Sequence, residues 1–236
     1  MKIRQLFDNE TSSFSYLVID EAQREAVMID PVREQLDRDL RLLGELDLKL
    51  RFVLETHVHA DHVTSAAILA ERTQARTASS RFGAACVMRQ LTDGEQLVFG
   101  NSALGVLETP GHTKDSLSFY APGHVFTGDA LFVRGTGRTD FQNGDAGALY
   151  DSIVGKLFSL PDDTLVWPGH DYRGHVCSTI GEERRHNPRL AGKTRDEFRL
   201  LMGKLELPPP KQIQLAVPAN LACGREQNER TMAGAG

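Results

Sequence analysis

His57-Val58-His59-Ala60-Asp61-His62 sets three imidazoles and a carboxylate side by side, directly behind the apolar run Leu50-Arg51-Phe52-Val53-Leu54. That run reads as a buried strand, so the cluster sits where a stiff strand hands over to a loop. His57 and His59, two residues apart, share a face in extended chain but not on a helix. Neutral imidazole with carboxylate is the donor set of zinc, iron and manganese. Asp61 and His62 then lie at the turn into a helix carrying Val63, Ala66, Ala67 and Ala70.

Upstream, Phe14, Tyr16 and Val18 alternate with Ser13, Ser15 and Leu17, and Ala26-Val27-Met28-Ile29 follows as a second apolar run, so two early strands are expected. Asp30-Pro31 reads as a helix start, with Asp30 as the cap and Val32, Leu36, Leu40 and Leu43 along one face up to Gly44. Downstream come β-type runs at 96–99, 103–107, 116–120 and 124–127, punctuated by Gly100-Asn101 and Pro122-Gly123. A helix with Leu149, Ile153, Leu157 and Phe158, a strand at 164–167, and a helix opened by a Thr194/Glu197 capping box complete the pattern. From Pro208-Pro209-Pro210 onward the tail reads as irregular, with a mobile end from about residue 225. The order predicts one α/β domain over 1–236, a layered sandwich of mixed sheets covered by helices.

Three further polar residues stand at strand ends, each behind a glycine: His112 in Thr109-Pro110-Gly111-His112, Asp129 in Phe126-Thr127-Gly128-Asp129, and His170 in Trp167-Pro168-Gly169-His170. A lone histidine or Gly-Asp pair is ordinarily a surface group or a turn. Beside the His57 cluster, all three become candidate metal ligands or supports of ligands. The glycines would let the backbone turn and come close to the ion.

The chain is 40% hydrophobic and 25% charged with a formal charge of -5, which gives no electrostatic reason to expect nucleic acid. No stretch is apolar enough for a membrane span. The start of the chain carries no secretory or transit signature. Cys86, Cys177 and Cys223 are widely spaced with no C-x-x-C pair, so a disulfide is not expected, Cys223 is read as a passive free thiol, and the cytoplasm is the expected location.

His57, His59, Asp61, His62, His112, Asp129 and His170 together resemble the metal-site pattern of the metallo-β-lactamase fold superfamily. The resemblance implies a four-layer αβ/βα sandwich with metal at one edge of two packed sheets. A narrower resemblance, to the persulfide dioxygenases, is carried by 133–142 (Val-Arg-Gly-Thr-Gly-Arg-Thr-Asp-Phe-Gln), His170-Asp171-Tyr172, 182–190 and Ala216-Val217-Pro218-Ala219-Asn220. It implies a single ferrous iron on His57, His112 and Asp129, with His59, Asp61, His62 and His170 as supporting groups. It further implies glutathione persulfide and dioxygen as substrates, sulfite and glutathione as products, and a homodimer as the allowed assembly. On spacing alone, a two-metal thioester hydrolase of the glyoxalase II type using all seven groups is an equally good reading.

Glutathione carries two carboxylates, which suit arginine forks and a tyrosine hydroxyl. Arg138, Asp140, Tyr172 and Arg189 are therefore the expected substrate site, with Arg134 and Arg173 behind them. A salt bridge between Arg138 and Asp140 that merely shapes the Gly135-Thr136-Gly137 loop is the competing reading. The run Glu182-Glu183-Arg184-Arg185 reads as a solvated helix face.

Overall fold

A computed structural model of the chain describes residues 1–225. The first half forms a six-stranded sheet from β1 (Lys2–Asp8), β2 (Ser13–Asp20), β3 (Glu25–Ile29), β4 (Lys49–Leu54), β5 (Arg76–Ser80) and β6 (Arg89–Leu91), in that order. β1 to β3 pair antiparallel; β3 to β6 run parallel, with α1 (Leu36–Glu45) and α2 (Ala66–Thr73) as crossovers. The second sheet is ordered β12-β11-β10-β9-β8-β7. Its strands are β7 (Gln96–Phe99), β8 (Ser102–Glu108), β9 (Leu117–Ala121), β10 (His124–Gly128), β11 (Leu165–Pro168) and β12 (Ser178–Thr179). β7 to β10 form a meander through the turns at Gly100-Asn101 and Pro122-Gly123, and β11 joins β10 parallel after α3 (Ala146–Gly155).

Strand alternation explains the layering. Phe14, Tyr16 and Val18 on β2 face Phe99, Val106, Phe119 and Phe126 of the second sheet and build the central core. Leu17 and Ile19, on the opposite face of β2, pack with Met28 and Val53 against Leu43 of α1 and Leu69 of α2. On the far side, Val125 and Val166 meet Leu149 and Ile153 of α3, Ile180 of α4 (Ile180–His186) and Phe198 of α5 (Arg195–Met202). Helix, sheet, sheet, helix is the four-layer arrangement expected, and the Thr194/Glu197 capping box opens α5 as read.

Four expectations are corrected. Asp30 does not cap a helix: it adopts a left-handed φ of 49°, and its carboxylate accepts from the Thr56 amide and hydroxyl, both at 2.7 Å. A buried amide in the metal loop outbids a solvated helix end as its partner. The tail is not irregular throughout, because Ile213–Asn220 forms α6 despite Pro218; the region read as a mobile end, apart from Arg225, lies outside the described residues. Cys86 and Cys223, 137 residues apart, form a disulfide where none was expected, since the turn after α6 folds back onto the 81–88 loop. Glu183 is not on a solvated face: it is fully buried in α4, paired with Arg134.

Candidate metal centre

The motif, His112, Asp129 and His170 follow β4, β8, β10 and β11 respectively, so all four loops open at one edge of the sandwich. Backbone bonds across that edge fix the loops to one another: Leu117 N to Thr56 O at 2.7 Å, Phe14 N to Gly169 O at 2.8 Å, and Gly169 N to Gly128 O at 2.9 Å. The glycine before His170 serves this packing rather than an approach to metal, since a Cβ there would lie 2.4 Å from Asp129 Oδ1.

His57, His112 and Asp129 bring one donor atom each to within 4.8 Å of the others. The His57 and His112 rings stand 4.9 Å apart at 88°, and His112 Nε2 lies 3.5 Å from Asp129 Oδ2. His57 Nδ1 is satisfied by Thr56 Oγ1 at 3.0 Å and His112 Nδ1 donates to Arg138 O at 2.7 Å. Both rings are thereby left with an Nε2 lone pair for an ion. Burial, helped by the charge of His59, pushes the His57 ring well below the usual histidine range, which keeps that lone pair free. Burial pushes the Asp129 carboxyl up, but the charge of His170 and its hydrogen bond outweigh this and hold Asp129 as a carboxylate. Two imidazole nitrogens and a carboxylate oxygen form an open three-donor set that fits a divalent transition metal.

Of the remaining four groups, His59, Asp61 and His62 form a second cluster whose donor atoms lie within 4.8 Å of one another, with His62 Nε2 buried and unpartnered. His170 reaches Asp129 Oδ1 from Nδ1 at 2.8 Å and Asp61 Oδ2 from Nε2 at 3.0 Å. Burial pushes the His170 ring down, yet the two carboxylates outweigh that and hold it well above its ordinary value. Asp61 Oδ2 also faces His62 Nδ1 at 2.8 Å and accepts from Ser13 Oγ at 2.9 Å. His59 is turned towards two buried carboxylates, with Nε2 3.2 Å from both Asp30 Oδ1 and Glu55 Oε2. Asp30 and Glu55 escaped sequence reasoning. Glu55 sits between the apolar strand β4 and the motif, where a buried acid needs a partner, and that was the available signal.

A cavity of about 460 Å³ opens over the three donors, lined in part by Phe132, Arg138, Tyr172, Arg173, Arg189 and Leu207. Its volume suits a small organic ligand. Tyr172 is 69% exposed and stacks on His170 at the cavity mouth. Asp140 is not among the lining groups; its carboxylate grips Arg138 through two bonds of 2.6 and 2.7 Å. Arg138 also donates to Pro208 O and Leu207 O, so the salt bridge of the competing reading is present while Arg138 itself still lines the cavity. Arg189 donates to Thr136 O at 2.7 Å, and burial and the neighbouring charge of Arg173 push its guanidinium down. Arg173 and Arg189 both line the cavity, with Asp171 beside them, and among the described residues neither arginine forms a salt bridge.

Comparison with known proteins agrees with this architecture. The family model described as Metallo-beta-lactamase superfamily matches residues 8–83 and 89–170. Persulfide dioxygenase ETHE1, mitochondrial, of Homo sapiens is 45% identical over 94% of this chain and 88% of its own. The crystal structure of ETHE1 from Myxococcus xanthus superposes with a TM-score of 0.94 at 57% identity, covering 95% of this chain and 100% of that one. The chain belongs to the persulfide dioxygenase family. A more distant structure, TTHA1623 in a di-iron-bound form, has a TM-score of 0.68 at 30% identity over 79% of this chain and 100% of its own. Persulfide dioxygenases and a di-iron protein thus share this sandwich. No helix among the described residues is long and apolar enough to cross a membrane.

Proposed function

We propose that the chain oxidises glutathione persulfide with dioxygen at a single ferrous iron held by His57, His112 and Asp129. Persulfide, dioxygen and water give glutathione, sulfite and two protons, a balance that leaves the protein unchanged. When bound, the iron supplies the one-electron chemistry that dioxygen needs to react with a closed-shell sulfur. The observation that carries the one-ion reading is the fate of the lone pairs. His57 and His112 each keep one beside the Asp129 carboxylate, whereas His170 spends both nitrogens on Asp129 and Asp61 and His59 faces Asp30 and Glu55, so only His62 Nε2 and Asp61 would remain for a second ion.

The protein's own groups do the positioning. His170 occupies Asp129 Oδ1, which leaves Oδ2, the atom nearer His112, to face the ion. Arg173 and Arg189 supply charge for a glutathione carboxylate, and Tyr172 supplies a hydroxyl at the mouth. Arg138 with Asp140 fixes the wall formed by Leu207 and Pro208. Phe132 and Leu207 exclude water from the side where the terminal sulfur would lie. A homodimer remains the proposed assembly and the cytoplasm the proposed location, although the Cys86–Cys223 disulfide removes the cysteine argument for it.

Metal content of anaerobically purified protein, together with oxygen uptake on glutathione persulfide and hydrolysis of S-lactoylglutathione, tests the reading. A single iron per chain with persulfide-dependent oxygen uptake is expected, and His57→Ala should lose both together. Two metals per chain with thioester cleavage would replace it with the hydrolase reading.

A further inference from the structure

Every backbone N–H and C=O in a buried loop needs a partner, and a loop outside the sheets must find it elsewhere. The segment joining β4 to α2 carries His57, His59, Asp61 and His62, and its partners divide into two sets. Around His57 they come from neighbouring loops: Asp30 takes the Thr56 amide at 2.7 Å, Asp115 takes the Val58 amide at 2.8 Å, and Gln142 donates to Val58 O at 2.6 Å. From His59 to Thr64, three groups go to one side chain more than 150 residues away. Asn220 Nδ2 donates to His59 O at 2.9 Å and His62 O at 2.8 Å, while its Oδ1 accepts from the Thr64 amide at 2.9 Å.

We propose that Asn220 is a positioning residue for the metal centre, clamping the rear half of the metal loop from the last helix of the fold. Asn220 is 4% exposed and its amide is used on both ends, so its geometry is set by the loop it holds. The turn that follows is fastened twice: Ala67 N donates to Cys223 O at 3.3 Å, and Cys223 is joined to Cys86. The clamp reaches the ion's donors through two contacts. The loop carries Asp61, Asp61 meets His170, and His170 holds Asp129 Oδ1. Releasing His59 O, His62 O and the Thr64 amide therefore frees Asp61, and with it the group that aims Asp129.

The inference rests on the metal reading above, and the test separates the two. Ferrous iron affinity is measured anaerobically by chelator competition for wild type, Asn220→Ala, and Ile153→Ala, a cavity variant in the far helix layer. Asn220→Ala should bind iron about 10- to 100-fold more weakly, the range for groups that orient metal ligands. Ile153→Ala, though destabilised, should bind within about twofold of wild type. Thr64 amide exchange should accelerate in Asn220→Ala and remain slow in Ile153→Ala. Where alanine does not fold, Asn220→Asp keeps the Thr64 acceptor and turns an oxygen towards two carbonyls; the same loss is expected. Iron affinity unchanged in the Asn220 variants, or reduced equally in Ile153→Ala, overturns the positioning role. Failure of wild type itself to bind iron overturns the metal reading instead.

Discussion

Gly137→Ala is a single-methyl perturbation whose consequences can be worked from distances. Gly137 is buried behind the donors, and its amide bonds Asp129 O at 2.8 Å. A Cβ at this position would lie 2.2 Å from Asp129 O, 2.8 Å from His112 Nδ1 and 2.9 Å from His112 Cγ. Heavy atoms rest at roughly 3.5 Å, so about 1 Å of room must open against two of the three donors. Asp129 O cannot withdraw without stretching its bond to Gly137 N, and the His112 ring cannot tilt without straining Nδ1–H to Arg138 O. Overpacking of this kind costs about 1–3 kcal/mol, which for a domain of this size is roughly 2–4 °C in Tm per kcal/mol. Displaced ligands should weaken iron about 10- to 100-fold, or about 1.4–2.7 kcal/mol. Thermal melts of the apoprotein and chelator competition on the holoprotein give the two numbers separately. Gly155→Ala is the control, because a Cβ there meets nothing within 4 Å at the exposed end of α3; it should leave iron binding alone. If Gly137→Ala melts with wild type and holds iron within twofold, the close contact is not what places His112 and Asp129.

Tyr172→Phe should raise KM for glutathione persulfide with little change in kcat, since the hydroxyl lies at the exposed mouth; an unchanged KM removes it from the substrate site. Arg134→Ala strands Glu183, whose side chain is fully buried, and should cost about 3 kcal/mol or more in urea unfolding; a loss below about 1 kcal/mol would mean that Ser178 and Asn187 suffice to hold the carboxylate. Burial pushes the Asp8 carboxyl up, but bonds from the Thr11 hydroxyl and amide and from Gln35 outweigh it and hold it below the usual range. A depressed folded value gives stability that is present at neutral pH and fades as pH falls through it. Urea midpoints of wild type and Asp8→Asn should therefore differ at pH 7 and converge in strong acid, and a constant gap would exclude the linkage.

The layers were legible because strand alternation and helix spacing report which face is buried, as at Phe14, Tyr16 and Val18 against Leu17 and Ile19. β1 was missed because only one of its faces is well covered, and its sequence Lys2-Ile3-Arg4-Gln5-Leu6-Phe7-Asp8 lacks a clean period. α6 was missed because Pro218 and the preceding prolines read as breakers, although helix bonds from Ala216 N to Gln212 O and from Leu221 N to Val217 O carry the helix on either side of Pro218. Local rules failed at Asp30 for a related reason. Asp-Pro before a helical pattern is a sound start signal, but Asp30 faces the Thr56 amide across two strand ends, and no local signal reports a partner 26 residues away. The Cys86–Cys223 pair is invisible on the same ground.

For the site, the sequence pointed to His57, His112 and Asp129, which the fold brings together, but missed Asp30 and Glu55 and could not count ions, because spacing counts side chains whereas an ion counts lone pairs. Seven groups converge, and each histidine brings two nitrogens whose use depends on neighbours from other strands. Thr56 and the Arg138 carbonyl take Nδ1 of His57 and His112 and so turn each Nε2 into a ligand. Asp129 and Asp61 take both nitrogens of His170 and turn the same residue type into a strut. Asp30 and Glu55 draw His59 the other way, and Asn220 holds the loop that carries it. A second ion that used His170 would have to break its contact with Asp61 or with Asp129. On the one-ion reading proposed above, the number of metals depends on partners that lie partly outside the histidine motif, Glu55 and Asn220 among them.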